Sequence, residues 1–285
     1  MRAMGPRSSC LELLRSHHAA GRHLVVGLDT VVSRIPEAVS PGSEPWRRVV
    51  EFNAQIIEAT ADLVCAYKPN SAFYEALGQG GFQALRETIL AVRAMAPGVP
   101  VILDAKRADI GSTNEGYVAA AFDALLADAI TVHPYLGAEA LKPFLARGEK
   151  MIFVLARTSN PGAGEFQDLL SDGVPLYRQV ARAVATDWNQ RGNCALVVGA
   201  TYPQELERVR EDVPPKLPIL VPGVGAQGGS LEDVVAIHTK AGSTSFLINA
   251  SRSVLYASSG EDFAAAARAE AQNLAAGIKA ASNAS

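Results

Sequence analysis

The sequence predicts an α/β protein folded as one single-domain (β/α)8 (TIM) barrel, and three observations carry that expectation. Short apolar runs rich in β-forming residues alternate with longer helical segments from one end of the chain to the other. Eight such runs occur, and no break in composition divides them. No G-x-G-x-x-G follows the first run, which weighs against an open, doubly wound sheet. A length of 285 residues suits one barrel domain, with residues 1–22 as an N-terminal extension.

The strands follow in order: HLVVGLD, LVCAYKPN, PVILDAK, AITVHPY, MIFVLART, CALVVGAT, PILVPGVG and TSFLINAS. Each is apolar almost without interruption, as expected where helices cover one face and the barrel interior the other. Parallel neighbours need a crossover, and helical segments lie between the runs, among them EPWRRVVEFNAQIIEATA, GFQALRETILAVRAMA, NEGYVAAAFDALLA, PLYRQVARAVATDWNQRG and SLEDVVAIHTKAG. DFAAAARAEAQNLAAGIKAA closes the chain as a packing helix. A longer link, residues 162–175, follows the fifth strand and exceeds what a minimal barrel needs.

Composition narrows the function classes. With 48% hydrophobic and 19% charged residues the chain can bury a large core, which excludes disorder. A net charge of −3 without long charged runs offers no footprint for nucleic acid or an anionic membrane, so the expected partner is a small molecule. Cys10, Cys65 and Cys194 are odd in number and far apart, giving neither a disulfide framework nor zinc spacing. No segment has the length of a signal-peptide core or a membrane span, and the expected compartment is the cytoplasm.

In such barrels active sites form at the C-terminal strand ends, so polar residues that end apolar runs are the candidates. The first run ends in Asp29, the second in Lys68, and the third in Asp104 and Lys106, which share a face because they are two residues apart. Asp109 lies beyond the strand, and periodicity leaves its direction open. A salt-bridge layer closing the barrel would explain one of these charges. Four of alternating sign are better explained by chemistry, since apolar residues would close a barrel at lower desolvation cost. The Gly-rich PGVGAQGGS after strand seven and Arg252 after strand eight stand where barrels often hold a phosphate.

The combination of Asp104, Lys106, Asp109, Ile110 and Thr113 in D-x-K-x-x-D-I-x-x-T, YKPNSAFYE around Lys68, and PGVGAQGG with Arg252 resembles the orotidine 5′-phosphate decarboxylase family, in its longer bacterial-type subgroup. The likeness runs from about Leu24 to Tyr256. It implies conversion of orotidine 5′-monophosphate to UMP and carbon dioxide in pyrimidine biosynthesis, with no cofactor and no metal. By this resemblance Asp29 and Lys68 would hold ribose hydroxyls, Asp104 would sit beside the substrate carboxylate, and Lys106 would protonate C6. Asp109 and Thr113 would reach into the neighbouring site of a homodimer, and Ser159 would touch the pyrimidine. Pro222 would contact substrate; Gln227, the loop backbone at Gly225, and Arg252 would bind phosphate. Separately from the resemblance, the Gly-rich composition of the loop after strand seven predicts a mobile lid.

Two alternatives stand beside it. Magnesium-dependent sugar-phosphate decarboxylases and aldolases of the same superfamily share D-x-K-x-x-D, although Lys68 would oppose a cation where they place an acidic ligand. A non-catalytic nucleotide-binding barrel would not need Lys106 beside Asp104. Ser251 stands where many relatives have glycine before the arginine, which leaves backbone approach there open. His133 at the end of strand four reads as structural, and His17, His18, His23 and His238 lack metal-ligand spacing.

Overall fold

The computed structural model describes residues 8–225 and 228–284. Eight parallel strands form the barrel: β1 (Leu24–Gly27), β2 (Val64–Lys68), β3 (Ile102–Arg107), β4 (Ala129–Val132), β5 (Met151–Arg157), β6 (Cys194–Val198), β7 (Ile219–Pro222) and β8 (Phe246–Ala250). The ladder runs β2-β1-β8-β7-β6-β5-β4-β3. It is closed between β2 and β3 by bridges pairing Tyr67 with Val101 and Asn70 with Asp104, through Tyr67 N to Pro100 O at 3.0 Å and Asp104 N to Pro69 O at 2.9 Å.

Alternation along each strand divides the core in two. Val25, Ala66, Ile102, Ala129, Phe153, Ala195, Leu220 and Leu247 fill the barrel interior. Their neighbours Val26, Tyr67, Leu103, Ile130, Val154, Leu196, Val221 and Ile248 pack outward under the helices. Polar residues that continue the inward series at the top of a strand must therefore meet solvent or a ligand.

Of the residues 1–22 expected as an extension, the described part belongs to the barrel. Helix α1 (Cys10–Ala19) starts on a capping box between Ser9 and Glu12 and sets Cys10 and Leu14 into the interior core. It closes the N-terminal end. His18 stacks there on His23 of the β1 approach, and Phe246 at the base of β8 lies between His23 and His238.

The outer helices include α2 (Pro45–Thr60), α3 (Ser71–Glu75), α4 (Gly81–Met95) and α5 (Gly111–Val118), which continues as a π turn over Ala119–Ala124. Next come α6 (Gly137–Leu145), α7 (Gly164–Gln167), α8 (Leu176–Ala185), α9 (Pro203–Asp212), α10 (Leu231–Lys240), α11 (Arg252–Leu255) and α12 (Phe263–Ala284). Helices α6 and α9 were not singled out in the sequence. The first carries Pro143 and the second is mostly charged, with only Leu206, Val209 and Arg210 buried. The long link after β5 holds α7 and a two-stranded turn pairing Leu170–Ser171 with Val174–Pro175. It is clasped to the strand end by Arg157 to Asp168 at 3.0 Å and by Thr158 N to Gln167 Oε1 at 2.8 Å. No helix among the described residues is long and apolar enough to cross a membrane.

Candidate active site

A cavity of about 650 Å³ opens at the C-terminal ends of the strands, with Leu155, Val197 and Leu220 as its apolar floor. Asp29, Lys68, Asp104, Lys106, Ser159, Pro222 and Arg252 all line it, so most of the residues singled out in the sequence converge.

Asp104 is the centre of the polar array. Its Oδ2 accepts from Lys68 Nζ at 2.9 Å, and its Oδ1 accepts from Lys106 Nζ at 2.6 Å and from Thr131 Oγ1 at 2.9 Å. Burial alone would push this carboxyl up, but the two ammonium groups outweigh it and hold Asp104 far below the usual carboxylate range. Burial would likewise push Lys68 down. Asp29 and Asp104 reverse that and keep it above the ordinary lysine value. The two lysines differ in access: the Lys68 side chain is 5% exposed and that of Lys106 49%.

Two buried acceptors, Asp29 Oδ1 and Asn249 Oδ1, find no hydrogen-bond partner among the described residues, and both residues line the cavity. Buried oxygens are normally satisfied, so the pair marks a place for ligand donors such as hydroxyls. Ser251 fits because residue 27 is glycine: a Cβ on Gly27 would lie 1.9 Å from Ser251 Oγ. That hydroxyl accepts from Asn249 Nδ2 at 3.3 Å. Tyr256 adds a wall, donating to Asp29 O at 3.5 Å and carrying the Arg34 guanidinium 3.7 Å over its ring.

Other sequence candidates lie elsewhere. Gly225 does not line the cavity, and its N–H is committed to Gly229 O at 2.9 Å within a tight turn after β7. Gln227 lies outside the described residues. Asp109 and Thr113 stand away from the cavity of their own chain. Asp109 O and N bond Asn114, Thr113 is exposed on the first turn of α5, and the neighbouring Ile110 and Tyr135 are 65% and 86% exposed. His133 does not line the cavity either.

Thr131 and Asn249 were missed, although a signal existed. Each continues the inward series of its strand, after Ala129 and Leu247, and each is polar. Among the described residues no group of three or more His, Cys, Asp or Glu is placed to hold a metal ion.

The fold and this site define a (β/α)8-barrel enzyme whose polar machinery is a Lys-Asp-Lys array at the strand ends, buried at Lys68 and Asp104 and open to the cavity at Lys106. The sequence model of the "Orotidine 5'-phosphate decarboxylase / HUMPS family" matches residues 22–269. An orotidine 5'-phosphate decarboxylase of Herpetosiphon aurantiacus is 53% identical over 250 residues, covering 87% of this chain and 90% of that protein. One from Azoarcus is 50% identical over 248 residues, with 87% and 90% covered. The solved structure of Leishmania donovani OMP decarboxylase superposes with a TM-score of 0.82 at 39% identity, covering 97% of this chain and 100% of that one. The chain belongs to the orotidine 5'-phosphate decarboxylase family.

Proposed function

We propose that the protein decarboxylates orotidine 5′-monophosphate to UMP and carbon dioxide, a step of pyrimidine biosynthesis, in the cytoplasm. The observation that carries this is the Lys68–Asp104–Lys106 array, with an ammonium on each carboxylate oxygen and Lys106 reaching into the cavity.

In the reaction the bond from C6 to the carboxylate breaks, carbon dioxide leaves, and the electron pair stays on C6 in the ring plane, where the pyrimidine π system does not delocalise it. The Lys106 ammonium stabilises that charge and then transfers its proton to C6. Held by Asp104 at 2.6 Å, it is in place before the charge develops, which is where preorganised electrostatics act most strongly. Asp104 faces the leaving carboxylate. Asp29, whose Oδ1 has no partner among the described residues, and Lys68 receive the ribose hydroxyls. Ser159 meets the pyrimidine, Pro222 borders it, and Arg252 takes the phosphate together with Gln227 and the loop around Gly225. Binding energy from the phosphate, far from C6, offsets the cost of assembling the charged site.

A homodimer completes the scheme, with Asp109 and Thr113 of each chain serving the other's cavity. The exposed Ile110, Tyr135 and Leu136 beside them supply an apolar surface for such a contact. No step draws on a metal or an organic cofactor.

The test is the loss of pyrimidine ultraviolet absorbance when EDTA-treated protein meets orotidine 5′-monophosphate, with the product identified as UMP. Turnover without added metal is expected. Binding of UMP without release of carbon dioxide, or turnover of a sugar phosphate only with magnesium, would overturn the proposal.

A further inference from the structure

Strand β3 does not run regularly into the site. Its pairing with β4 places Leu103 opposite Ile130 and Arg107 opposite Val132, so Asp104, Ala105 and Lys106 face the single residue Thr131. This is a bulge, and bulges beside active sites re-aim side chains. Lys106 sits within it at φ +47°, a left-handed conformation that a lysine adopts only where its surroundings impose it.

The Thr131 hydroxyl supplies what the interrupted ladder lacks. Its Oγ1 accepts from Ala105 N at 3.1 Å and from Lys106 N at 2.9 Å, and donates to Asp104 Oδ1 at 2.9 Å. A hydroxyl has one donor and two acceptor sites, so all three are used. Because both lone pairs are taken by N–H groups, its proton has Asp104 as its destination. The side chain is 1% exposed, so water does not easily take over these bonds.

We infer that Thr131 is the positioning residue of the reaction, fixing through one hydroxyl both the left-handed backbone of Lys106 and the carboxylate that holds the Lys106 ammonium. The inference rests on the decarboxylase reading above. Thr131 need not touch substrate: it determines where the proton donor stands. Without the hydroxyl, the N–H groups of Ala105 and Lys106 lose their acceptor, the bulge loses its reason to persist, and Asp104 Oδ1 keeps Lys106 alone.

The test compares Thr131→Val, which keeps the shape, with Thr131→Ser, which keeps the oxygen. Loss of hydrogen bonds to buried and charged groups predicts a fall in kcat on the order of 10- to 100-fold for T131V. The Kd for UMP should move by less than about 3-fold, because the phosphate and ribose contacts lie elsewhere. T131S should recover kcat to within about 3-fold of wild type. A merely structural threonine would lower Tm without this split between kcat and product affinity. T131V turning over at the wild-type rate, or T131S as impaired as T131V, would overturn the inference. Crystal structures of both variants give a readout that does not depend on activity: Lys106 should leave the left-handed region in T131V and stay there in T131S. If the wild type releases no carbon dioxide, the functional reading fails while this structural comparison still decides the role of Thr131. Retention of φ near +47° and of the Asp104–Lys106 contact in T131V would then refute it.

Discussion

Acid should destabilise this protein well above the pH at which carboxylates titrate, through the histidines at the closed end of the barrel. Burial pushes His18 down from 6.5 to about 3, and it pushes His238 well below 6.5, with the Arg210 charge adding to the effect. Both His238 ring nitrogens and His18 Nε2 lack a partner among the described residues, so a proton added there has nothing to meet it. The unfolded chain protonates these rings near 6.5 and the folded chain takes up the His18 proton only near 3. Stability is therefore fully present above 6.5 and falls as the pH drops through the interval between those values. The slope is about 1.4 kcal/mol per pH unit per group, so His18 alone removes about 2 kcal/mol between pH 8 and pH 5. For a chain of 285 residues that is a fall in Tm of about 3 °C, and His238 adds to it in the same direction. Asp104, whose pKa is depressed, contributes stability that is lost only as the pH falls below the ordinary carboxylate range, so the window from pH 6.5 to 5 isolates the histidines. The assay is urea unfolding at a series of pH values for the wild type and for His238→Phe, which keeps a ring against Phe246 and removes the titration. A wild-type midpoint flat from pH 8 to 5, or an acid slope unchanged in H238F, would refute this reasoning.

Further outcomes follow from the site. Lys106→Ala should lose at least ~10²-fold in kcat while UMP binding persists, and Arg252→Ala should raise KM by ~10- to 100-fold with a smaller effect at saturation; steady-state kinetics separate the two. Gly27→Ala should cost about 1–3 kcal/mol by forcing Ser251 out of its place. Adding Ser251→Gly should restore both stability and activity, and a double variant no better than G27A would refute the steric cause. Mixing the two inactive variants Lys106→Ala and Asp109→Asn and allowing subunits to exchange should regenerate about a quarter of wild-type activity if each site draws on both chains; no recovery would refute the shared site.

The barrel was legible because its strands are buried on both faces and read as unbroken apolar runs, and the site was legible because charges ended those runs. Asp29, Lys68, Asp104 and Lys106 each replace the apolar residue that the inward series or its loop would otherwise carry. What stayed hidden depends on pairing across strands. The sequence places Asp104 and Lys106 on one face by simple alternation, yet the structure brings them together through a bulge whose partner, Thr131, lies 25 residues beyond Lys106. The plug formed by α1 was hidden for a similar reason: its two interior residues, Cys10 and Leu14, make too narrow an apolar stripe to separate from a surface helix. The bond from Gly225 N to Gly229 O was hidden for the same reason, since it pairs residues on either side of the loop that the resemblance assigns to phosphate.

The unequal burial of the two lysines separates the array from a structural ion pair. A salt bridge that served only to close the barrel would cover both ammonium groups, since each exposed one weakens the pair by admitting water. Here Asp29 and Asp104 share the buried Lys68, which neutralises a carboxylate that the interior would otherwise protonate. Lys106 takes the second oxygen of Asp104 but stays half exposed at the cavity, on a backbone conformation that no local preference of lysine favours. The first pair stabilises the charge of Asp104. The second uses that charge to aim a proton donor, and the cost of the left-handed lysine makes sense only if its position matters for chemistry rather than for folding.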